Sequence, residues 1–213
     1  MDTNLIDRCQ RATAELSGEL LAELESANEA VELAKRAEAK AVEAEERAAQ
    51  VDRQISKRLA EVKDELQRAQ SIALDAAIDG STTFSETAAN YGALEMQIAL
   101  LEQARSRHSA FSVLEARTNS YAAQRELAKV QKRAAHIEYD YTLNELMLIE
   151  QAKARINGAT ALNEASFDTG RARQLRNAII RFDDIETSLT KALEKHSADA
   201  IETRREYLKG LNK

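Results

Sequence analysis

From Leu16 to Ala76 an apolar side chain recurs in 17 steps over 60 residues, and no proline interrupts this stretch or any other part of the chain. The seam runs Leu16, Leu20, Leu24, Ala27, Val31, Ala34, Ala37, Ala41, Ala44, Ala48, Val51, Ile55, Leu59, Val62, Leu66, Ala69, Ala73 and Ala76. A spacing near 3.5 residues belongs to a helix that winds left-handed around a partner. The consecutive four-residue steps 16–20–24 and 51–55–59 read as stutters that relax the supercoil locally. Between Ala27 and Ala48 the seam is nearly all alanine, which lets a partner backbone approach closely but gives little packing energy per layer. That stretch reads as a slender stalk.

Breaks in the helical pattern are few. Asp79-Gly80-Ser81-Thr82-Thr83 interrupts it once, and Asn157-Gly158 through Asp168-Thr169-Gly170 interrupts it again. Glycine suits a helix C-cap or turn that needs positive φ. Thr83 with Glu86 has the spacing of a capping box, and Asp168 or Thr169 is placed to cap the last segment. The expected helices therefore cover about 3–78, 84–156 and 170–210, with a stalk tip at 79–83 and a loop at 157–169.

The second of these carries a seam through Phe84, Ala88, Tyr91, Ile98, Leu101, His108, Phe111, Tyr121, Ala128, Ala135, Tyr139, Thr142, Leu146 and Ile149. Its last third adds a neighbouring stripe at Leu127, Val130, Ala134, Ile137, Tyr141 and Leu148, and two stripes imply two partners. The third helix has one stripe, through Leu175, Ile179, Phe182, Leu189, Leu193, His196, Ala200 and Tyr207. Two helices of roughly 110 Å by helical rise, joined by a short turn, fold back as an antiparallel hairpin. The expected fold is all-α: one elongated domain over 1–213, a coiled-coil stalk widening to a three-helix bundle at the end that holds both hairpin termini. The third helix is expected opposite residues 115–156. A single helix running on past residue 80 is the rival, and Gly80 with its polar neighbours argues against it.

Aromatic residues make up only 4% of the chain, which suits a thin core better than a thick globular one. The net charge of −6 is uneven: residues 1–50 hold 12 acidic and 6 basic side chains, and the remainder is balanced. A pI near 5.3 argues against general nucleic-acid binding. The N-terminus shows no basic region followed by an apolar stretch, and no window is apolar enough to span a bilayer, so the expected location is the cytoplasm. Cys9 has no partner for an intrachain disulfide and lies among Ile6, Ala12 and Leu16, the setting of a packing cysteine.

Chemistry is sparse. The residues three before His108, His136 and His196 are Arg105, Arg133 and Leu193, which excludes the di-iron Glu-x-x-His pattern. His136 and Asp140 lie one turn apart but supply only two ligands. His108 and His196 fall on seam positions, where a hydrogen-bonded polar layer that fixes register is expected. Asp183 and Asp184 point about 100° apart and do not converge. No phosphate loop, dinucleotide turn or nucleophile elbow is present. No catalytic residue, metal or cofactor is expected.

The candidate contact site is the cluster Arg171, Arg173, Arg176 and Arg181, where arginine charge and helix dipole share a sign. Its partner is an anionic lipid headgroup or the acidic first helix of a neighbouring subunit, against the plainer possibility of a solvated face paired with Asp168, Asp183 and Asp184. A second candidate is the hairpin tip, Gly80, Ser81, Thr82, Thr83 and Phe84, as a docking point for a protein partner. Gly18 and Gly92, inside helices, suggest a close helix approach or a bend.

The expected function is a non-enzymatic scaffold that self-assembles into a homo-oligomer or filament through helical faces. One alternative is a protein that binds or remodels an anionic membrane surface; in architecture alone, without a shared motif, the hairpin resembles those of BAR, phage-shock and ESCRT-III-like proteins. A second alternative is a stalk or adaptor that docks a larger machine through its tip.

Overall fold

A computed structural model describes residues 3–79, 84–157 and 169–211. Among them are four α-helices and one π-helical turn: α1 (Thr3–Ile78), α2 (Phe84–His108), the π turn (Ser109–Val113), α3 (Leu114–Asn157) and α4 (Gly170–Leu211). No strand occurs among the described residues. The fold is all-α, and the helix limits fall within about a residue of those expected from the breaks in periodicity. Helix α1 closes with the Asp79 amide on the Asp75 carbonyl at 3.0 Å. Of the expected tip, Gly80, Ser81, Thr82 and Thr83 lie outside the described residues, and Phe84 opens α2. The loop residues 158–168, Asp168 included, also lie outside them.

The buried edge of α1 differs from the apolar seam. Leu16, Ala37, Ala44 and Val51 are exposed, while Ser17, Glu38, Glu45 and Asp52 are half-buried in their stead. With these polar residues admitted, one covered edge runs 10, 13, 17, 20, 24, 27, 31, 34, 38, 41, 45, 48, 52, 55, 59, 62, 66, 69, 73 and 76, in strict alternation of three and four, with Ala30, Val42, Ala49 and Ser56 half-buried beside it. The two expected stutters vanish. They arise from demanding an apolar residue at every seam position, which forces the series one residue off wherever an acid or a hydroxyl occupies the seam.

The residues form two compact units, Met1–Lys40 with Tyr121–Leu193 and Ala41–Ser120 with Glu194–Lys213. In the first unit, Ala27 packs with Ala134 and Ile137, flanked by Leu24 and Val31. Nearer the N-terminus its α1–α3 contact turns polar. Asn144 donates to the Thr13 carbonyl at 2.9 Å and to Ser17 Oγ at 2.7 Å, and Ser17 donates to Glu145 at 2.8 Å. Arg155 reaches Gln10 at 3.1 Å. As α1 numbers rise, α3 numbers fall, which makes the pair antiparallel.

Helix α4 enters this unit beside Glu138 and Tyr139, which hold Arg171 and Arg176. Its pairing with α3 thus starts near residue 139, not at the α3 C-terminus. Beyond residue 140, α3 turns Asn144, Glu145, Gln151 and Arg155 to α1.

In the second unit, Val62 is fully buried, with Leu59, Ala69 and Ala76 on the same edge of α1. Lys63 pairs with Glu102 at 2.8 Å and Arg117 with Glu45 at 3.0 Å, again antiparallel. The π turn inserts one residue into the helix and rotates the residues beyond it. His108, just before it, points to α1, where Nε2 meets the Ala48 carbonyl at 2.9 Å. Phe111, within it, points to α4: its ring meets Tyr207 edge-on at 5.5 Å, and the Arg204 guanidinium stands 5.4 Å from its centroid. His108 is thus the hydrogen-bonded seam histidine expected, and the seam through 84–149 serves two partners in turn.

Candidate interaction surfaces

The four candidate arginines all lie on exposed positions of α4, which is capped by Thr169: its Oγ1 accepts from the Ala172 amide at 3.2 Å. At 100° per residue, Arg171 and Arg173 project about 160° apart, and the set does not converge on one group. Ala172 and Leu175 mark the buried edge of α4. Arg171 and Arg176 flank that edge and clamp α3. Arg171 is ion-paired with Glu138, while Arg176 donates to Tyr139 Oη at 3.3 Å and lies 5.9 Å from the centre of its ring. Cation–π contacts of this kind contribute about 0.5–1 kcal/mol at exposed sites. The cluster is therefore divided: Arg171 and Arg176 fasten α4 to α3, Arg173 projects outward, and Arg181 stands at the rim of a groove between α3 and α4.

Of the acids expected to pair with the cluster, Asp168 lies outside the described residues, and Asp183 serves elsewhere. Asp183 accepts from Lys132 of α3 at 2.5 Å, and Glu186 shares the same ammonium at 3.2 Å. The hydrogen bond to Asp183, and next that to Glu186, raise the Lys132 pKa above the usual 10.5. Asp184 faces the groove instead.

That groove is a feature the apolar stripes alone do not reveal. It has a volume of about 670 Å³, with Leu127, Ala128, Ile185 and Leu189 among its lining and Arg181 and Asp184 at its rim. Leu127 and Leu189 both belong to stripes expected to pack helix against helix. They are only half-buried, and the signal in the sequence is that each stripe holds more apolar width than one neighbouring helix covers.

Elsewhere in the first unit, the outward side of α1 holds Glu25, Glu29, Glu32 and Arg36 around Leu33, which is 64% exposed. Glu32 is held below the ordinary carboxylate pKa, first by its hydrogen bond with Lys35.

Cys9 is exposed, as are Ala12 and Leu16, so it is not the packing cysteine expected. The covered edge of α1 at this point runs through Gln10, Thr13 and Ser17. His136 and Asp140 are both exposed, and among the described residues no three His, Cys, Asp or Glu side chains are grouped to hold a metal ion. Among those residues, too, no helix is long and apolar enough to cross a membrane. A methyl group added at Gly18 or Gly92 meets nothing within 4 Å, which removes close helix approach as the reason for either. No family model, curated protein or solved structure matches the chain.

Proposed function

We propose that the chain is a non-enzymatic scaffold that self-associates through the outward faces of its helices. One observation carries this reading: apolar side chains stand exposed on helices whose inward edges are already covered within the chain. In the second unit they form one-turn pairs, Leu74 with Ile78 on α1 and Met96 with Leu100 on α2, with Ile78 81% and Met96 68% exposed. In the first unit Leu33 and Ile180 are exposed singly. Isolated exposed apolar residues are ordinary, whereas pairs one helical turn apart make stripes that favour a contact.

The exposed Arg173, Arg181 and Lys191 of α4 favour a second reading, attraction to an anionic membrane surface. Sedimentation of the purified chain across concentrations, with electron microscopy with and without anionic liposomes, separates the two. Oligomers or filaments without lipid support the scaffold. Coated liposomes with a monomeric free chain replace it with the membrane reading, and monomers in both samples leave docking to a larger partner.

A further inference from the structure

We propose that the outward face of α2 joins two copies of this chain, with the two α2 helices antiparallel about a two-fold axis. The inference rests on the self-association reading above and names the surface and register that carry it.

Helix α2 carries two seams. Tyr91, Leu94, Ile98 and Leu101 are half-buried on the side of α1, which holds Glu102 through Lys63 at 2.8 Å. A second series runs Glu86, Ala89, Ala93, Met96, Leu100, Gln103 and Arg107, in strict alternation of three and four, and every member is exposed. Met96 is 68% and Leu100 60% exposed. Two seams of coiled-coil period fit two partner helices. Helix α4 reaches only as far as Gln103, which its Gly210 adjoins, and the stretch from Ala89 to Leu100 lies past that end.

Charge selects the occupant. Between Glu86 and Glu102 the single charged residue is Glu95, which accepts the Tyr91 hydroxyl. A charged surface laid here would lose water without gaining a counterion, so the face fits another uncharged one. The series matches itself when a second copy runs the other way. Its acid, Glu86, and its base, Arg107, stand at opposite ends, and its small residues precede its large ones. Setting Met96 on Ala93 of the second copy also sets Leu100 on its Ala89 and Gln103 on its Glu86. Arg107, one turn past Gln103, then reaches the same Glu86. Parallel pairing would instead set Met96 on Met96 and Glu86 on Glu86. Large side chains on small ones fill the layers evenly, and opposite charges fix the orientation. The same patch serves both copies, so the contact closes at a dimer.

The test is sedimentation of the full chain, with helicity by circular dichroism as the folding control. Met96→Asp and Leu100→Asp, both at exposed positions, each weaken dimerisation roughly tenfold or more with helicity unchanged. Glu86→Arg and Arg107→Glu each weaken it roughly threefold or more, since either one sets like charges together at both ends. The chain carrying both charge changes regains dimers with itself and is excluded from dimers with wild type. Undiminished dimers in Met96→Asp and Leu100→Asp overturn the α2 contact and leave self-association standing. Failure of the charge-swapped chain to recover, or its entry into wild-type dimers, overturns the antiparallel register. A wild-type chain that stays monomeric at every concentration overturns both this inference and the scaffold.

Discussion

Asn144 of α3 donates one hydrogen bond to the Thr13 carbonyl and another to Ser17 Oγ, and its side chain is buried between the two helices. The pair of bonds ties one level of α3 to one level of α1, the role of a polar residue that specifies register within a helical seam. Asn144→Ala leaves Ser17 Oγ without this donor and opens a cavity. We expect a loss of about 1–3 kcal/mol in urea unfolding. Asn144→Leu restores volume and recovers at least half of that loss. Equal stability of the two variants would show that the hydrogen bonds, and not shape, are what the position supplies.

Gly18 and Gly92 lie in helix interiors with open space where a Cβ would point. Each therefore carries the backbone-entropy cost of glycine without a packing reason for it. Gly18→Ala and Gly92→Ala are each expected to stabilise the chain by up to about 1 kcal/mol, read as a raised melting temperature. A lowered melting temperature for either would point to a bend that the glycine permits.

The π turn is the hinge between two facings of one helix, and its extra residue has a measurable role. Deleting Ser112 turns the helix beyond it by about 100° and sets Phe111 against Tyr207 or Arg117 against Glu45, but not both. Hydrogen exchange is expected to quicken across residues 194–211, with a stability loss above about 2 kcal/mol. Ser112→Ala, at an exposed position, keeps the residue count and shifts stability by less than about 0.5 kcal/mol. Unchanged exchange in the deletion would mean that the inserted residue has no such role.

Lys132 binds Asp183 and Glu186 of α4, and its pKa is raised above 10.5. A cation favoured by the folded state contributes stability that is complete below the unfolded pKa and fades as pH rises through the higher folded value. The α3–α4 link should therefore hold at neutral pH and weaken above pH 10.5. In Lys132→Met part of this alkaline decline is absent from the thermal melts. A decline identical to wild type assigns it to the tyrosines or other lysines.

The helix ends were plain in the sequence because they are local events: glycine and polar residues cluster at the breaks, and Thr169 caps as its type suggests. The positions of α1 near its middle were less plain. Glu38 and Glu45 look like surface residues by composition, yet a thin seam covers part of a long side chain while its head stays near water; Asp52 goes further and buries its Oδ1 without a hydrogen-bond partner. The π turn left no trace at all, since one extra residue inside a helix alters neither composition nor propensity. Of the arginine cluster, the residues were legible but the division of labour was not, because it depends on where Glu138 and Tyr139 stand on another helix.

Glu38, Glu45 and Asp52 sit seven residues apart on the covered edge of α1, and the alternation of threes and fours continues unbroken on both sides. Such an edge is graduated like a ruler. Arg117, which holds Glu45, meets an equivalent acid one mark either way, and the Asn144 and His108 hydrogen bonds with the large apolar layer of Leu59, Val62 and Leu66 are what distinguish one setting from the next. Seven residues added to α1 and matched by seven in the helix that faces it would keep the acids and alanines on the covered edge. Any other increment turns the acids outward and the alanines with them.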